Sequence, residues 1–260
     1  MSNDDILIER RDRVLWVTFN RPQARNAMKL GMYERLIALG DEIDADDELR
    51  AVVLTGAGEH AFVSGTDISE FDAFHKPDDA LAYERTMGAA FDRLEAVRIP
   101  LIAAVRGACT GGGMVIAAAC DLRIATPGSR FGFPVARTLG NCLSVANYAR
   151  LVDIVGATAV KEMVYLAALI DAQRAYELRF LNEVLPSEDG LLARAAEIAE
   201  TIAGNAPLTI RATKEALRRL VRDGRGADDR DLIVGCYMSS DFREGMTAFF
   251  EKRRANWTGR

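Results

Sequence analysis

Two short segments carry residues suited to chemistry done by exposed backbone rather than to packing. The first is Ala61-Phe62-Val63-Ser64-Gly65-Thr66-Asp67-Ile68, and the second is Gly107-Ala108-Cys109-Thr110-Gly111-Gly112-Gly113-Met114. Gly65 admits an unusual backbone conformation, and Asp67 can accept hydrogen bonds from nearby amides. Three consecutive glycines let a ligand approach the main chain closely, and a helix that follows them directs its positive end at that ligand. Taken singly, each segment reads as a tight turn. Phosphate binding is the competing chemistry, but G-x-x-x-x-G-K-[ST] is absent and Gly111–Gly113 does not fit G-x-G-x-x-G.

The elements that must position these segments alternate in type. Ile6–Glu9 and Val14–Phe19 read as strands joined at Arg11-Asp12-Arg13, followed by a helix over Met28–Ile43 with apolar residues at helical spacing. Ala51–Thr55 and Leu101–Val105 are short apolar runs, as buried strands require, and a helix over Ala80–Ala96 lies between them. A small apolar helix, Met114–Ala119, and a strand at Leu122–Ala125 follow the glycine cluster. After about residue 140 helical periodicity takes over, in Ala146–Ile154, Ala157–Leu166, Leu191–Ala203, Leu208–Val221 and Asp229–Ser239, with only Asn182–Leu185 extended. The repeated strand–helix order predicts an α/β core of stacked turns with a helical C-terminal part, in one structural unit.

Composition removes several function classes. The 260 residues are 49% hydrophobic and 27% charged, which is ordinary globular composition. A net charge of −5 argues against a polyanion-binding surface and so against nucleic acid. Cys109, Cys120, Cys142 and Cys236 are scattered without a C-x-x-C pair, as in a reduced cytosolic protein. His60 and His75 are the only histidines, so no histidine-built metal site is expected. The acidic N-terminus does not fit a signal or transit peptide, and no stretch of 18 apolar residues predicts a membrane span. The expectation is a cytoplasmic protein with no membrane role.

In order along the chain, six segments resemble the enoyl-CoA hydratase/isomerase (crotonase) superfamily. Asn20-Arg21-Pro22-Gln23-Ala24-Arg25-Asn26-Ala27-Met28 looks like N-R-P-x-x-x-N-A-[LM], Phe62–Ile68 like F-x-x-G-x-D-[IL], and Gly107–Gly113 like G-x-x-x-G-G-G. Ala118-Ala119-Cys120-Asp121, Phe131-Gly132-Phe133-Pro134 and the C-terminal run from Asp241 to Arg253 complete the set. The resemblance implies a ββα spiral core over residues 1–200 and a helical region over residues 201–260 that assembles a homotrimer or a dimer of trimers. It implies an acyl-CoA substrate whose thioester oxygen lies between the N–H groups of Thr66 and Gly112. Coenzyme A would enter as part of the substrate, with no separate cofactor. Arg25, Phe62, Ser64, Gly65, Asp67 and Ile68 would lie along the CoA moiety, joined by Phe249 and Lys252 from the last helix, with Asp67 organising its loop.

The pattern breaks where relatives that hydrate enoyl-CoA place two glutamates. Those positions are Val115 and Val135, and valine can neither bind nor deprotonate water. A positioned acid or base is worth about 10²–10⁴ in rate. Ordinary hydration is therefore not expected; isomerisation, lyase or hydrolase chemistry through an enolate is, with a base elsewhere. A hydratase with relocated acids and an acyl-CoA-binding protein without turnover are the alternatives. Replacement polar groups are sought in the rewritten turn at Asn141, Cys142 and Ser144, and among Glu84 and Asp92. For Ser144 and Cys142 the favoured roles are a helix cap and a buried thiol. Arg179 also stands where relatives carry a glycine.

Overall fold

The computed structural model describes residues 5–260. The first two strands, β1 (Ile6–Arg11) and β2 (Val14–Phe19), form an antiparallel hairpin whose turn includes Asp12 at φ 53°. Helix α1 (Leu30–Ala45) follows, and the chain then enters a repeating unit. Strand β3 (Ala51–Gly56) leads into the three-residue β4 (Ala61–Val63) and helix α2 (Pro77–Ala96). Strand β5 (Leu101–Val105) leads into β6 (Ala108–Thr110) and helix α3 (Gly112–Ala118). Strand β7 (Leu122–Ala125) leads into β8 (Arg130–Gly132), the single-turn α4 (Val135–Thr138) and α5 (Val145–Tyr165).

Each turn of this spiral gives its first strand to one sheet and its second to another. The larger sheet has the order β1-β2-β3-β5-β7-β10, parallel after the hairpin, where β10 is Glu183–Val184. The smaller has β4-β6-β8 in parallel and closes with an antiparallel β9 (Ile170–Asp171). Helices α6 (Ala172–Glu177), α7 (Leu191–Ala203), α8 (Pro207–Asp223), α9 (Arg230–Tyr237) and α10 (Ser240–Glu251) complete the chain. The expected spiral of ββα turns followed by helices is the observed architecture.

Burial on both faces explains why the strands are continuously apolar. Val52, Leu54, Leu101 and Ala103 face α1, α2 and α3, whereas Ala51, Val53, Ile102 and Ala104 face Leu191, Ala195 and Ala199 of α7. The two helices expected over Ala146–Ile154 and Ala157–Leu166 are both present within α5, separated at Gly156, whose φ of 78° and ψ of 156° are not helical. Among the described residues no helix is long and apolar enough to cross a membrane.

Candidate active site

The N-R-P segment is a brace for the first glycine segment. A 3-10 turn at Pro22–Ala24 leaves Arg25 and Asn26 in left-handed conformations at φ 50° and 55°. This turns the Asn26 side chain inward, where its Nδ2 donates to the carbonyls of Ala61 (2.7 Å) and Ala57 (3.0 Å). Arg21 is buried; its guanidinium donates to Asp67 Oδ2 at 2.8 Å and also to the carbonyl of Ala27. That ion pair holds the Asp67 carboxyl below the usual carboxylate range, and the Ser69 hydroxyl and amide reinforce it. Asp67 thereby caps the 3-10 turn Ile68–Ala73.

The second segment docks on the first. Thr110 Oγ1 donates to the carbonyl of Ser64 at 3.0 Å, and the Gly111 amide donates to Gly132 of the next spiral turn. A Cβ on Gly113 would lie 2.0 Å from the Val63 carbonyl oxygen, so any larger residue forces these loops apart. A Cβ on Gly112 would meet the Tyr33 hydroxyl at 2.5 Å. Thr66 bridges to Met28 through its neighbours: Met28 donates to Gly65 and Asp67 donates to Met28. The Thr66 N–H is left out of that ladder. The Gly112 N–H opens α3, whose first-turn amides lack helical acceptors. Neither has an acceptor among the described residues.

Thr66 and Gly112 both line a cavity of about 240 Å³. Its walls are largely apolar, with Ile68 and Phe71 from the loop, Met87 and Phe91 from α2, Val115 from α3, and Phe133, Val135, Leu139 and Leu143 around α4. The Thr66 hydroxyl is engaged behind this surface, at 2.9 Å from Tyr33 Oη and 2.6 Å from Tyr83 Oη. Burial pushes Tyr33 far up and Tyr83 up to about 12, so both phenols stay protonated. Tyr33, Tyr83, Arg21 and Asn26 were not singled out from sequence: the tyrosines sit on apolar helical stripes, and nothing in their spacing separates them from core residues.

Among the described residues, Glu84 is the single carboxylate lining the cavity. Its Oε2 is buried without a hydrogen-bond partner, and burial raises its carboxyl above the ordinary range. Glu84, Met87 and Phe91 fall at i, i+3 and i+7 on one helical stripe, which carries the carboxylate onto the cavity wall.

Expectations are corrected here at Phe62, Asp92 and the Cys142 thiol, while Ser144 takes its favoured role as a cap. Phe62 is fully buried and packs edge-on against Phe19 with centroids 5.5 Å apart, because β4 turns it into the core; it is not available to CoA. Asp92 follows Phe91 by one residue, a rotation of about 100°, and is bound to Arg150 on an exposed surface outside the cavity. Ser144 caps α5, accepting from the Asn147 amide at 3.3 Å, and does not line the cavity. Cys142 is exposed rather than buried and lines the cavity with Asn141. Phe249 lines a separate apolar groove of the C-terminal helices, and Lys252 ends α10 in a left-handed conformation; neither borders the cavity within one chain. Arg25 is exposed beside Ser64, whose amide donates to its carbonyl.

The sequence model of the family described as Enoyl-CoA hydratase/isomerase matches residues 9–260. A short-chain-enoyl-CoA hydratase of Clostridium acetobutylicum is 36% identical over 98% of this chain and 97% of its own. A crotonyl-CoA hydratase of Syntrophomonas wolfei is 33% identical over 99% of both chains. The crystal structure of an enoyl-CoA hydratase/carnithine racemase from Magnetospirillum magneticum superposes with a TM-score of 0.92 at 33% identity, covering 100% of this chain and 97% of that one.

Proposed function

The chain belongs to the enoyl-CoA hydratase/isomerase family, and from that premise we propose that it processes an acyl-CoA thioester through an enolate, with isomerase, lyase or hydrolase outcome rather than water addition. The observation that carries this reading is the pair of unengaged amides, Thr66 and Gly112, at a cavity whose usual acid positions are Val115 and Val135. The thioester oxygen would accept from both amides, and negative charge would grow on that oxygen as the Cα proton leaves. A preorganised donor of this kind is worth about 2.7–4 kcal/mol in the transition state. Because the donors are main-chain groups, threonine at position 66 supplies the same N–H as any other residue. The pantetheine arm would run past Ser64, Gly65 and Ile68 toward Arg25, whose exposed guanidinium suits a phosphate. The substrate brings its coenzyme A, and the chemistry needs no metal or further cofactor.

Hydration is the second reading, favoured by the names of the relatives. It requires that some other group activate water, since neither valine can.

Deuterium entry at Cα of butyryl-, hexanoyl- and phenylacetyl-CoA in D2O, followed by mass spectrometry beside a binding titration, tests the proposal. Exchange is expected without crotonyl-CoA hydration. Rapid hydration would install the second reading, and absence of acyl-CoA binding would defeat both. The helical C-terminus supports self-association into a trimer or paired trimers: Val221, Val234, Tyr237, Met238, Phe249 and Phe250 are all exposed apolar side chains. A cytosolic location accords with the acidic charge and scattered cysteines.

A further inference from the structure

We propose that Glu84 is the proton-transfer group of this cavity, delivered from the α2 wall to the acyl carbons in place of the carboxylates missing at Val115 and Val135. This rests on the acyl-CoA reading above and names the base which that reading lacks.

The geometry comes from the helix stripe. Met87 and Phe91 line the cavity, and Glu84, one turn earlier on the same stripe, must face it too. Its Oε2 is shielded from solvent and has no donor. A buried oxygen without a partner is destabilising, and native folds seldom keep one without a use. Among the described residues no arginine, lysine or histidine lines the cavity to neutralise it. The titratable groups around it are Tyr83 on its own helix, Tyr33 on α1, Glu70 in the 3-10 turn and Cys142 ahead of α5. None of them donates a hydrogen bond to Glu84 Oε2. The two tyrosines are committed to Thr66, and Glu70 accepts from the Leu30 amide. Glu84 is thus a carboxylate facing an apolar cavity with an unshared lone pair, the state a base holds before its substrate arrives. Raised basicity from burial moves it toward the range where proton abstraction at neutral pH is efficient.

The step balances within the site. Glu84 takes the Cα proton, and the C–H electron pair forms a Cα–C double bond. The carbonyl π pair moves onto the thioester oxygen, which accepts from Thr66 and Gly112 N–H. Return of the proton to Cα gives exchange; for a β,γ-unsaturated acyl group, transfer from Cα to Cγ shifts the double bond. No oxidant, reductant or water is consumed.

The test compares the full-length protein with Glu84→Gln and Glu84→Asp in the deuterium-exchange assay. Acyl-CoA affinity is measured for all three, and thermal unfolding checks that each is folded. Gln keeps the shape and removes the base, so exchange should fall by about 10²–10⁴ with affinity changed by less than about threefold. Asp keeps the base on a shorter arm and should recover part of the rate. Exchange by Glu84→Gln within about threefold of the parent would overturn the assignment. So would a parent that binds the acyl-CoAs without exchanging them. A parent that binds none of them defeats the acyl-CoA reading itself, a result told apart by the titration alone.

Discussion

The two sides of the cavity are built on opposite terms. On one side, the glycine loops are held by a closed set of partners: Asn26 grips Ala57 and Ala61, Arg21 grips Asp67, and Thr110 grips Ser64. On the other side, α2 presents Glu84 with an oxygen that has no hydrogen-bond partner among the described residues. The closed side fixes two amides in place, as preorganised stabilisation of an oxyanion demands. The open side keeps one group poised and uncompensated, as proton transfer demands. Substitutions should therefore damage the first side through geometry and stability, and the second through chemistry alone.

On the closed side, the largest effect is expected at Gly112. Alanine there places its Cβ 2.5 Å from the Tyr33 hydroxyl, so the loop or the ring must shift and the amide turns off its target. Exchange should drop by about 10²–10³, the cost of misplacing one oxyanion donor. Tyr33→Phe removes the clashing atom and leaves the ring carbon at 3.7 Å. The double substitution should thus recover much of the loss, despite forgoing the Tyr33–Thr66 hydrogen bond of about 1 kcal/mol. Equal losses in the single and double variants would show that the Tyr33 contact does not set the loop.

Arg21→Ala comes next. The Arg21 side chain is 9% exposed and Asp67 23%, so the change strands a half-shielded carboxylate and an unpaired Ala27 carbonyl. A loss of roughly 2–3 kcal/mol in unfolding free energy is expected, below the full cost for a dry pair because Asp67 retains some water. The Asp67 carboxyl is lowered in the folded state, so its contribution is present above its unfolded value, about pH 3.9, and lost as pH falls through the lowered one. The gap between parent and variant should accordingly narrow in acid. A gap constant from pH 7 to pH 2 would mean that the ion pair is not what braces the loop.

Legibility in the sequence divided along similar lines. The large sheet was readable because Leu101–Val105 and Leu122–Ala125 are apolar runs long enough to carry a signal, and both match the observed strands. The small sheet was invisible: β4, β6 and β8 have three residues each and β9 two, too short for any periodicity, yet they hold both glycine segments. The motif residues drew attention to Arg21 and Asn26 only as part of a pattern; their bracing role depends on left-handed turns at Arg25 and Asn26 that the residue types do not announce. Arg179 follows the same logic, taking a left-handed φ of 62° that favours glycine. Among the acids, spacing alone could not separate Glu84 from Asp92, because the choice depends on which helical face meets the cavity and which meets Arg150.

The smallest effect should carry the opposite sign. Burial raises the Glu84 carboxyl, so the fold favours its neutral form. The stability this provides is complete below the unfolded value, about pH 4.3, and is lost as pH rises through the folded one. Wherever Glu84 is ionised, the fold therefore carries a partly desolvated carboxylate that glutamine would not. Glu84→Gln should raise Tm by on the order of 1–2 °C at neutral pH, with the gain vanishing below about pH 4. Gln must still bury an amide, which limits the gain. A variant no more stable at pH 7 than at pH 4 would show that burial does not disfavour the Glu84 charge. Higher stability together with abolished exchange would mark Glu84 as retained for its chemistry against the preference of the fold.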